Sequence, residues 1–291
     1  MNIGFIGVGA IGYPMAERLL PHFEVTVFDV DSARVAELAA QGATTAGSAA
    51  DAAGGADVVI VMVATPAQLN AVLFESTGAA VSMTPGSTML IMSSVGIDSA
   101  RSAADSLRGQ GVRVVDAPVT GGVVRAIAGE LTILLGGDAT DIDRVRPVLA
   151  HLGSKLAICG ARVGDGQAVK LVNQHLCSIH LAAAGEALAL AGALGLYPAA
   201  VLDTVGSGAA ASFMLNDRGP RMLQEDPPVL SAIDIFVKDA HLVQDAALAA
   251  GALTPILDAA ADRFDVARAA GLGRVDDSAV YRTYTPLIAG S

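Results

Sequence analysis

The run Gly7-Val8-Gly9-Ala10-Ile11-Gly12 restricts the possible folds of this chain more than any other stretch. It follows a short apolar strand, Asn2–Ile6, and opens a helical pattern over Ile11–Leu20. A G-x-G-x-x-G turn carries physical meaning in that strand–turn–helix context and little outside it. Gly7 permits the tight turn, Gly9 lets the backbone approach a pyrophosphate, and Gly12 lets helix and strand pack closely. The helix N-terminus then offers N–H groups and a partial positive charge to the phosphates. Pro14 sits in the first helical turns, where its missing N–H costs little. The next test is an acid about 20 residues on. Asp29 meets it at the end of the strand Val25–Asp29. A carboxylate there accepts hydrogen bonds from both ribose hydroxyls and repels a 2′-phosphate. Val30 follows it rather than Arg, so NAD is expected over NADP, although Arg34 stands close by. The competing reading is a structural glycine turn with an incidental Asp.

The remainder of the first half keeps alternating. Strands are predicted at Val58–Val63, Thr88–Met92, Arg113–Asp116 and Leu131–Leu135, with helices at Ser32–Gln41, Ala67–Leu73 and Ser99–Arg108. This spacing indicates βαβ units and a mostly parallel sheet. From about residue 160 the texture becomes helical. Gly164–Leu194 reads as one Ala- and Leu-rich helix, far longer than the usual mean of ~11–12 residues. Pro198–Val205, Phe213–Leu223, Ile233–Ala250 and Thr254–Ala270 follow as further helices. The expectation is an α/β dinucleotide-binding domain of Rossmann type over residues 1–163. An all-α domain over residues 164–291 follows, joined to it by a long interdomain helix.

Charge narrows the partners. Lys and Arg together number 18 against 29 Asp and Glu, for a formal net charge of −11. No nucleic acid is expected on such a surface. The two cysteines, Cys159 and Cys177, form no disulfide framework, and a reducing, cytoplasmic setting fits. The N-terminus lacks the basic region and cleavage site of a signal peptide. Leu181–Leu196 is interrupted by Glu186 and small residues, so no membrane partner is expected.

Fifteen of the 18 basic residues are Arg, which leaves each Lys to be explained: Lys155, Lys170 and Lys238. Lys155 lies in a His-Leu-Gly-Ser-Lys turn and reads as surface. On a helix Lys170 shares a face with Asn173 and Gln174, among apolar neighbours. A buried Lys with two amides must be satisfied by something, for which a polar substrate is one answer. Burial also moves a Lys toward neutrality, which suits acid/base work. The other reading is a snorkelling Lys with its head in water. Lys238, in Ile233–Asp239, shares this kind of setting, or simply pairs with Asp234 one turn away. Asp116-Ala117-Pro118-Val119-Thr120-Gly121-Gly122 is a turn rich in backbone N–H groups that would suit a carboxylate, with Arg125 as added charge, or is a structural turn. His175 adjoins the lysine face, where a packed core His is the simpler reading. No His, Cys or carboxylate spacing indicates a metal, and neither Ser93 nor Ser94 sits on a nucleophile elbow.

Four motifs in order give a resemblance that covers nearly the whole chain. They are GFIGVGAIGYPMA from Gly4, DAPVTGG from Asp116, GDGQAVKLVNQ from Gly164 and SAIDIFVKD from Ser231. The chain resembles the β-hydroxyacid dehydrogenase family, which includes 3-hydroxyisobutyrate dehydrogenase, tartronate semialdehyde reductase and L-threonate dehydrogenase. SAIDIFVKD and HLAAAGEALALA from His180 look most like the L-threonate enzymes. The resemblance implies an NAD-dependent oxidoreductase acting on a small hydroxy-acid substrate, with the site in the cleft between the domains. Gly7, Val8, Gly9, Ala10, Ile11, Gly12 and Asp29 would hold the cofactor, with Met62, Val63 and Ser94 on the nicotinamide side and Lys238 over it. Thr120, Gly121 and Gly122 would bind the substrate carboxylate, Asn173 and Gln174 would orient the substrate, and Lys170 would be the acid/base. A homodimer or homotetramer is also implied. The chain departs from the family in carrying Val63-Ala64 where Leu-Pro is common, Thr120 for Ser, and no Trp near Phe213. Imine reductases share the fold but usually replace the catalytic Lys, and a catalytically silent NAD-binding protein is the remaining alternative.

Overall fold

Successive residues of the central strands are buried on opposite faces, which is why these strands read as unbroken apolar runs. In the computed structural model Ile3, Phe5, Val58, Ile60 and Leu90 enter one core. Ile6, Val59, Val61, Met89 and Ile91 enter a second. Residues 1–284 are described; 285–291, the end of the expected helical domain, lie outside the described residues. The chain forms two compact units, Met1–Lys170 and Leu171–Ser291. The division falls inside a helix, several residues beyond the expected 163/164 boundary.

In the first unit the order is β1 (Asn2–Ile6), α1 (Gly12–Leu19), β2 (Glu24–Phe28), α2 (Ser32–Ala39), β3 (Thr44–Thr45) and α3 (Ala49–Ala53). β4 (Val58–Val61), α4 (Pro66–Phe74), β5 (Thr88–Ile91), α5 (Ile97–Arg108) and β6 (Arg113–Asp116) complete the parallel part. β7 (Val119–Thr120), α6 (Gly122–Ala128), β8 (Leu131–Gly136), α7 (Ala139–Leu149) and β9 (Gly153–Gly160) follow. The sheet runs β3-β2-β1-β4-β5-β6-β8-β7, with β9 on β8. β1 to β6 pair in parallel, β8 is antiparallel to β6 and β7, and β9 is parallel to β8. This is the doubly wound order, whose direction reverses between β1 and β4.

Three departures have local causes. The strand expected at Val58–Val63 stops at Val61: Met62 N–H makes the last bond, to Ile6 O, and Val63 N–H turns to the Ser93 hydroxyl. Lys155 is exposed as expected, but it lies in β9 and not in a turn. The ladder of β8 supplies pairing that the short, Gly-bounded sequence of β9, with only Leu156–Cys159 apolar, does not advertise. α7 carries Pro147, which hides its pattern, yet Ile142, Val145, Val148 and Leu149 form a buried face and Asp138 caps it through the Thr140 N–H.

α8 (Asp165–Ala193) crosses the division between units. The second unit adds α9 (Pro198–Val205), α10 (Phe213–Met222), α11 (Ile233–Ala250) and α12 (Pro255–Ala267). The helix expected to reach Ala270 ends at Ala267 and continues as a π-helical turn broken at Gly271, where φ is 83°. α8 is long and apolar enough to cross a bilayer. Its Leu181, Ala182, Ala184 and Leu188 instead pack with Met214, Phe236, Val237 and Phe264 as the core of this unit. Arg218 and Arg221 on α10 reach the buried Asp276 and Asp277, with bonds of 3.0 Å from Arg221 Nε to Asp276 and 3.1 Å from Arg218 to Asp277. Asp276 also accepts from the Leu230 N–H, which fixes the segment leading into α11.

Candidate active site

Ligands of doubly wound sheets bind beyond the carboxyl ends of the strands, at the reversal point. The register brings Gly7, Asp29 and Met62 to that edge together. Gly7 N–H donates to Phe28 O at 2.9 Å, and Met62 N–H to Ile6 O at 2.8 Å. Gly7 has φ +95°, and a Cβ there would run into the Met62 carbonyl. A Cβ at Gly12 would run into the Gly7 carbonyl. At Gly9 nothing lies within 4 Å of that position. Two glycines therefore build the turn, and the third leaves the open approach that a pyrophosphate requires.

Helix starts in this unit fall into two classes. Asp31, Ser48, Thr65 and Asp138 cap α2, α3, α4 and α7 with their side chains. α1, α5 and α6, whose first turns follow Ile11, Gly96 and Gly121, have no side-chain cap. Tyr13 N–H donates to Gly9 O at 2.9 Å and Met15 N–H to Ile11 O at 3.3 Å, which leaves the N–H of Gly12 and those of the loop just before it to face water or an anion. Val8 is buried, Ile11 half-buried and Ala10 exposed on this loop. The Asp29 carboxylate accepts from Val8 N–H at 2.6 Å and Asp31 N–H at 2.9 Å. A carboxylate has about four acceptor positions, so lone pairs remain for two ribose hydroxyls. Arg34 reaches the Val8 carbonyl at 3.4 Å and pairs with Asp31 at 3.4 Å. These residues fit a dinucleotide.

Past β4, Met62 and Val63 are half-buried. Val63 N–H donates to the Ser93 hydroxyl at 2.7 Å, and that hydroxyl donates to Val61 O at 3.2 Å. Ser94 is half-buried at the end of β5. Behind it lies Gln167, which is buried. Its Oε1 accepts from Val95 and Gly96 N–H at 3.0 and 3.1 Å. Its Nε2 donates to Ser93 O and to Asp116 Oδ1, both at 2.9 Å. Asp116 Oδ2 accepts from Gly164 and Gln167 N–H at 3.0 and 2.9 Å. Burial pushes the Asp116 carboxyl up to about 6, against the pull of those donors. Thr120 ends β7 opposite Thr132, and Gly121 and Gly122 follow with φ of 137° and 71°. The stem of Arg125 lies over Gly121, 2.8 Å from where a Cβ would stand.

On α8, Lys170 and Gln174 are buried and Asn173 is half-buried. Asn173 Nδ2 donates to Gln174 Oε1 at 2.8 Å, and Gln174 Nε2 donates to Asp239 Oδ2. Lys238 Nζ pairs with Asp239 Oδ1 at 2.8 Å. Asp234 is exposed at the start of α11, its N–H on the Gly273 carbonyl. His175 is half-buried beside this face. Among the described residues no group of three His, Cys, Asp or Glu could hold a metal.

Sequence reasoning did not assign roles to Gln167, Ser93, Asp116 or Asp239. A signal was present for two of them: Gln167 precedes Lys170 by one helical turn, and Asp116 closes an apolar strand, where an acid must find donors.

The chain matches known proteins over nearly its whole length. The family model for the NAD binding domain of 6-phosphogluconate dehydrogenase matches residues 2–160. That for the NAD-binding region of NADP-dependent 3-hydroxyisobutyrate dehydrogenase matches residues 164–284. An L-threonate dehydrogenase of Cupriavidus necator is 38% identical, covering 97% of this chain and 96% of that one. The NAD-dependent L-serine dehydrogenase of Pseudomonas aeruginosa is 31% identical, covering 98% of each chain. The crystal structure of 3-hydroxyisobutyrate dehydrogenase from Salmonella typhimurium superimposes with a TM-score of 0.91 at 35% identity, covering 97% of this chain and 99% of that one. The uncapped glycine turn, the strand order and these full-length matches together make this chain a member of the β-hydroxyacid dehydrogenase family, an NAD(P)-dependent hydroxyacid dehydrogenase.

Proposed function

We propose that this enzyme oxidises a small sugar acid of the L-threonate type, with NAD as the preferred cofactor and Lys170 as general base. The observation that carries the reading is Lys170 itself, a buried Lys on α8 with Asn173 and Gln174 on the next turn. When bound, the nicotinamide supplies the acceptor for hydride leaving the carbinol carbon. Lys170 Nζ takes the hydroxyl proton as that carbon becomes a carbonyl, and returns it in the reverse direction. A cation beside that oxygen also stabilises the developing alkoxide, an effect that is usually large. Gly7–Gly12 hold the pyrophosphate, Asp29 the ribose, and Met62, Val63 and Ser94 flank the nicotinamide, with Lys238 completing the cofactor contacts. Thr120, Gly121 and Gly122 receive the substrate carboxylate, and Asn173 and Gln174 orient the hydroxyl.

NAD is favoured by Asp29 followed by the exposed Val30. Threonate as substrate is supported by the name of the Cupriavidus necator relative, and tartronate semialdehyde or 3-hydroxyisobutyrate are the alternatives. Exposed Leu190, Leu194, Leu196 and Tyr197 near the end of α8 support a homodimer or homotetramer. Cys159 and Cys177, which form no disulfide, fit the cytoplasm.

The test is Lys170→Ala with a panel of threonate, erythronate, glycerate and 3-hydroxyisobutyrate. Loss of at least about 100-fold in kcat is expected, the range of general acid–base catalysis, with NAD binding retained. Turnover near wild type would overturn the role of Lys170. Faster turnover of another acid would move the substrate assignment.

A further inference from the structure

The side-chain amide of Gln167 is fully engaged. Both positions of its amide are doubly used. Oε1 takes two N–H groups from the loop after β5, and Nε2 serves Ser93 O of that loop and Asp116 at the end of β6. Asp116 in turn holds the first turn of α8 by the N–H groups of Gly164 and Gln167 itself. Its carboxylate is closely enclosed. A Cβ at Gly166 would stand 2.9 Å from Oδ2, and one at Gly136 3.0 Å. Three segments therefore meet on one amide–carboxylate pair: Ser93–Gly96, the end of β6 that leads to Thr120, and the start of α8. A buried polar network in which every member is satisfied rigidifies and specifies its surroundings.

Lys170 lies three residues after Gln167, one turn further along α8. The same pair thus ties the base to Ser94 on one side and to the Thr120–Gly122 turn on the other. We propose that Asp116 and Gln167 are positioning residues for the hydride-transfer reaction. They set the register of α8 so that Lys170 meets the substrate hydroxyl. This rests on the assignment of Lys170 as base.

Asp116→Asn, Gln167→Glu and the two combined test it in the full-length enzyme. The first substitution sets an amide donor against Gln167 Nε2, and the second sets two carboxylates together. Combined, donor and acceptor face each other again with reversed polarity, although Ser93 O loses its donor. Each single change should lower kcat for the hydroxy acid by about 10- to 100-fold, the scale of an ångström-sized misplacement. KM for NAD should stay within about twofold, and the primary deuterium isotope effect on kcat should rise. The combination should recover part of the loss. In the cofactor-free enzyme, amide exchange at Val95, Gly96 and Gly164 should accelerate in the single variants and slow again in the combination. If Gln167→Glu does not fold, Asp116→Asn, which keeps shape and removes a buried charge, decides alone. Single variants with wild-type kcat, or losses confined to NAD binding, would overturn the proposal while a dead Lys170→Ala still upheld the base. An active Lys170→Ala would overturn the base first.

Discussion

Gln174 gives its side-chain amide to Asp239, whose other oxygen lies 2.8 Å from Lys238. One buried carboxylate on α11 therefore joins two residues that the sequence placed in separate roles, substrate and cofactor. Asp239→Ala takes the acceptor from Gln174 and the counter-charge from Lys238. A buried donor left unpaired costs about 1–3 kcal/mol, so urea unfolding should show a loss of that size. Asp239→Asn keeps an acceptor for Gln174 and should lose less stability. Both should raise KM for the hydroxy acid. Equal stability of the two variants and wild type would show that the link carries no load.

The glycine turn separates packing from binding. Gly9→Ala meets open space, so cofactor-free stability should stay within about 0.5 kcal/mol of wild type. Its methyl occupies the approach of the pyrophosphate, and Kd for NAD should rise by about tenfold or more, roughly 1.4 kcal/mol. Gly12→Ala strikes the Gly7 carbonyl. It should cost about 1–3 kcal/mol even without cofactor, as overpacking does. Calorimetry with and without NAD distinguishes the two. Weak NAD binding together with low cofactor-free stability in Gly9→Ala would refute the distinction.

The proposed preference for NAD rests on Asp29 and on Val30 after it, with Arg34 as the opposing charge. Asp29→Ala combined with Val30→Arg removes a repelling carboxylate and adds a cation, so the NADP to NAD ratio of kcat/KM should rise at least about tenfold. Part of the effect on NAD will come from the glycine turn, since Asp29 also holds the Val8 N–H. Arg34→Gln tests the opposing influence. It should lower NADP turnover and leave NAD within about twofold. An unchanged ratio in the first variant would mean that Asp29 does not read the ribose.

The elements legible from the sequence are those whose signal is local. β1 and its glycine turn, the β-branched run of β4 and the long apolar α8 all declare themselves within their own residues. β9 does not, because its pairing comes from β8, more than fifteen residues away. α7 was hidden by Pro147. The site behaved likewise. Lys170, Asn173 and Gln174 share a helix face that spacing reveals. The bond from Gln167 to Asp116 spans 51 residues, and the bond from Gln174 to Asp239 spans 65. No periodicity in either segment encodes such a meeting.

Asp116 has a signature of its own in stability against pH. Burial raises its carboxyl from 3.8 to about 6. Between these values the folded protein keeps a proton that the unfolded chain has released, so stability falls as pH rises. The contribution is whole below about 4 and lost above about 6, amounting to about 3 kcal/mol at 1.36 kcal/mol per unit. Cys159 on β9, pushed up by burial and by Asp116 and Asp165, stays a thiol throughout this window. Asp116→Asn has nothing to titrate at this position. Its stability relative to wild type should therefore climb by about 2 kcal/mol between pH 4.5 and 7.5. The donor–donor contact with Gln167 adds an offset that pH does not change. Urea unfolding of both proteins across that range measures the slope. A flat difference would place the ionised Asp116 at no cost in the fold, and a falling one would mean that its three hydrogen-bond donors outweigh burial.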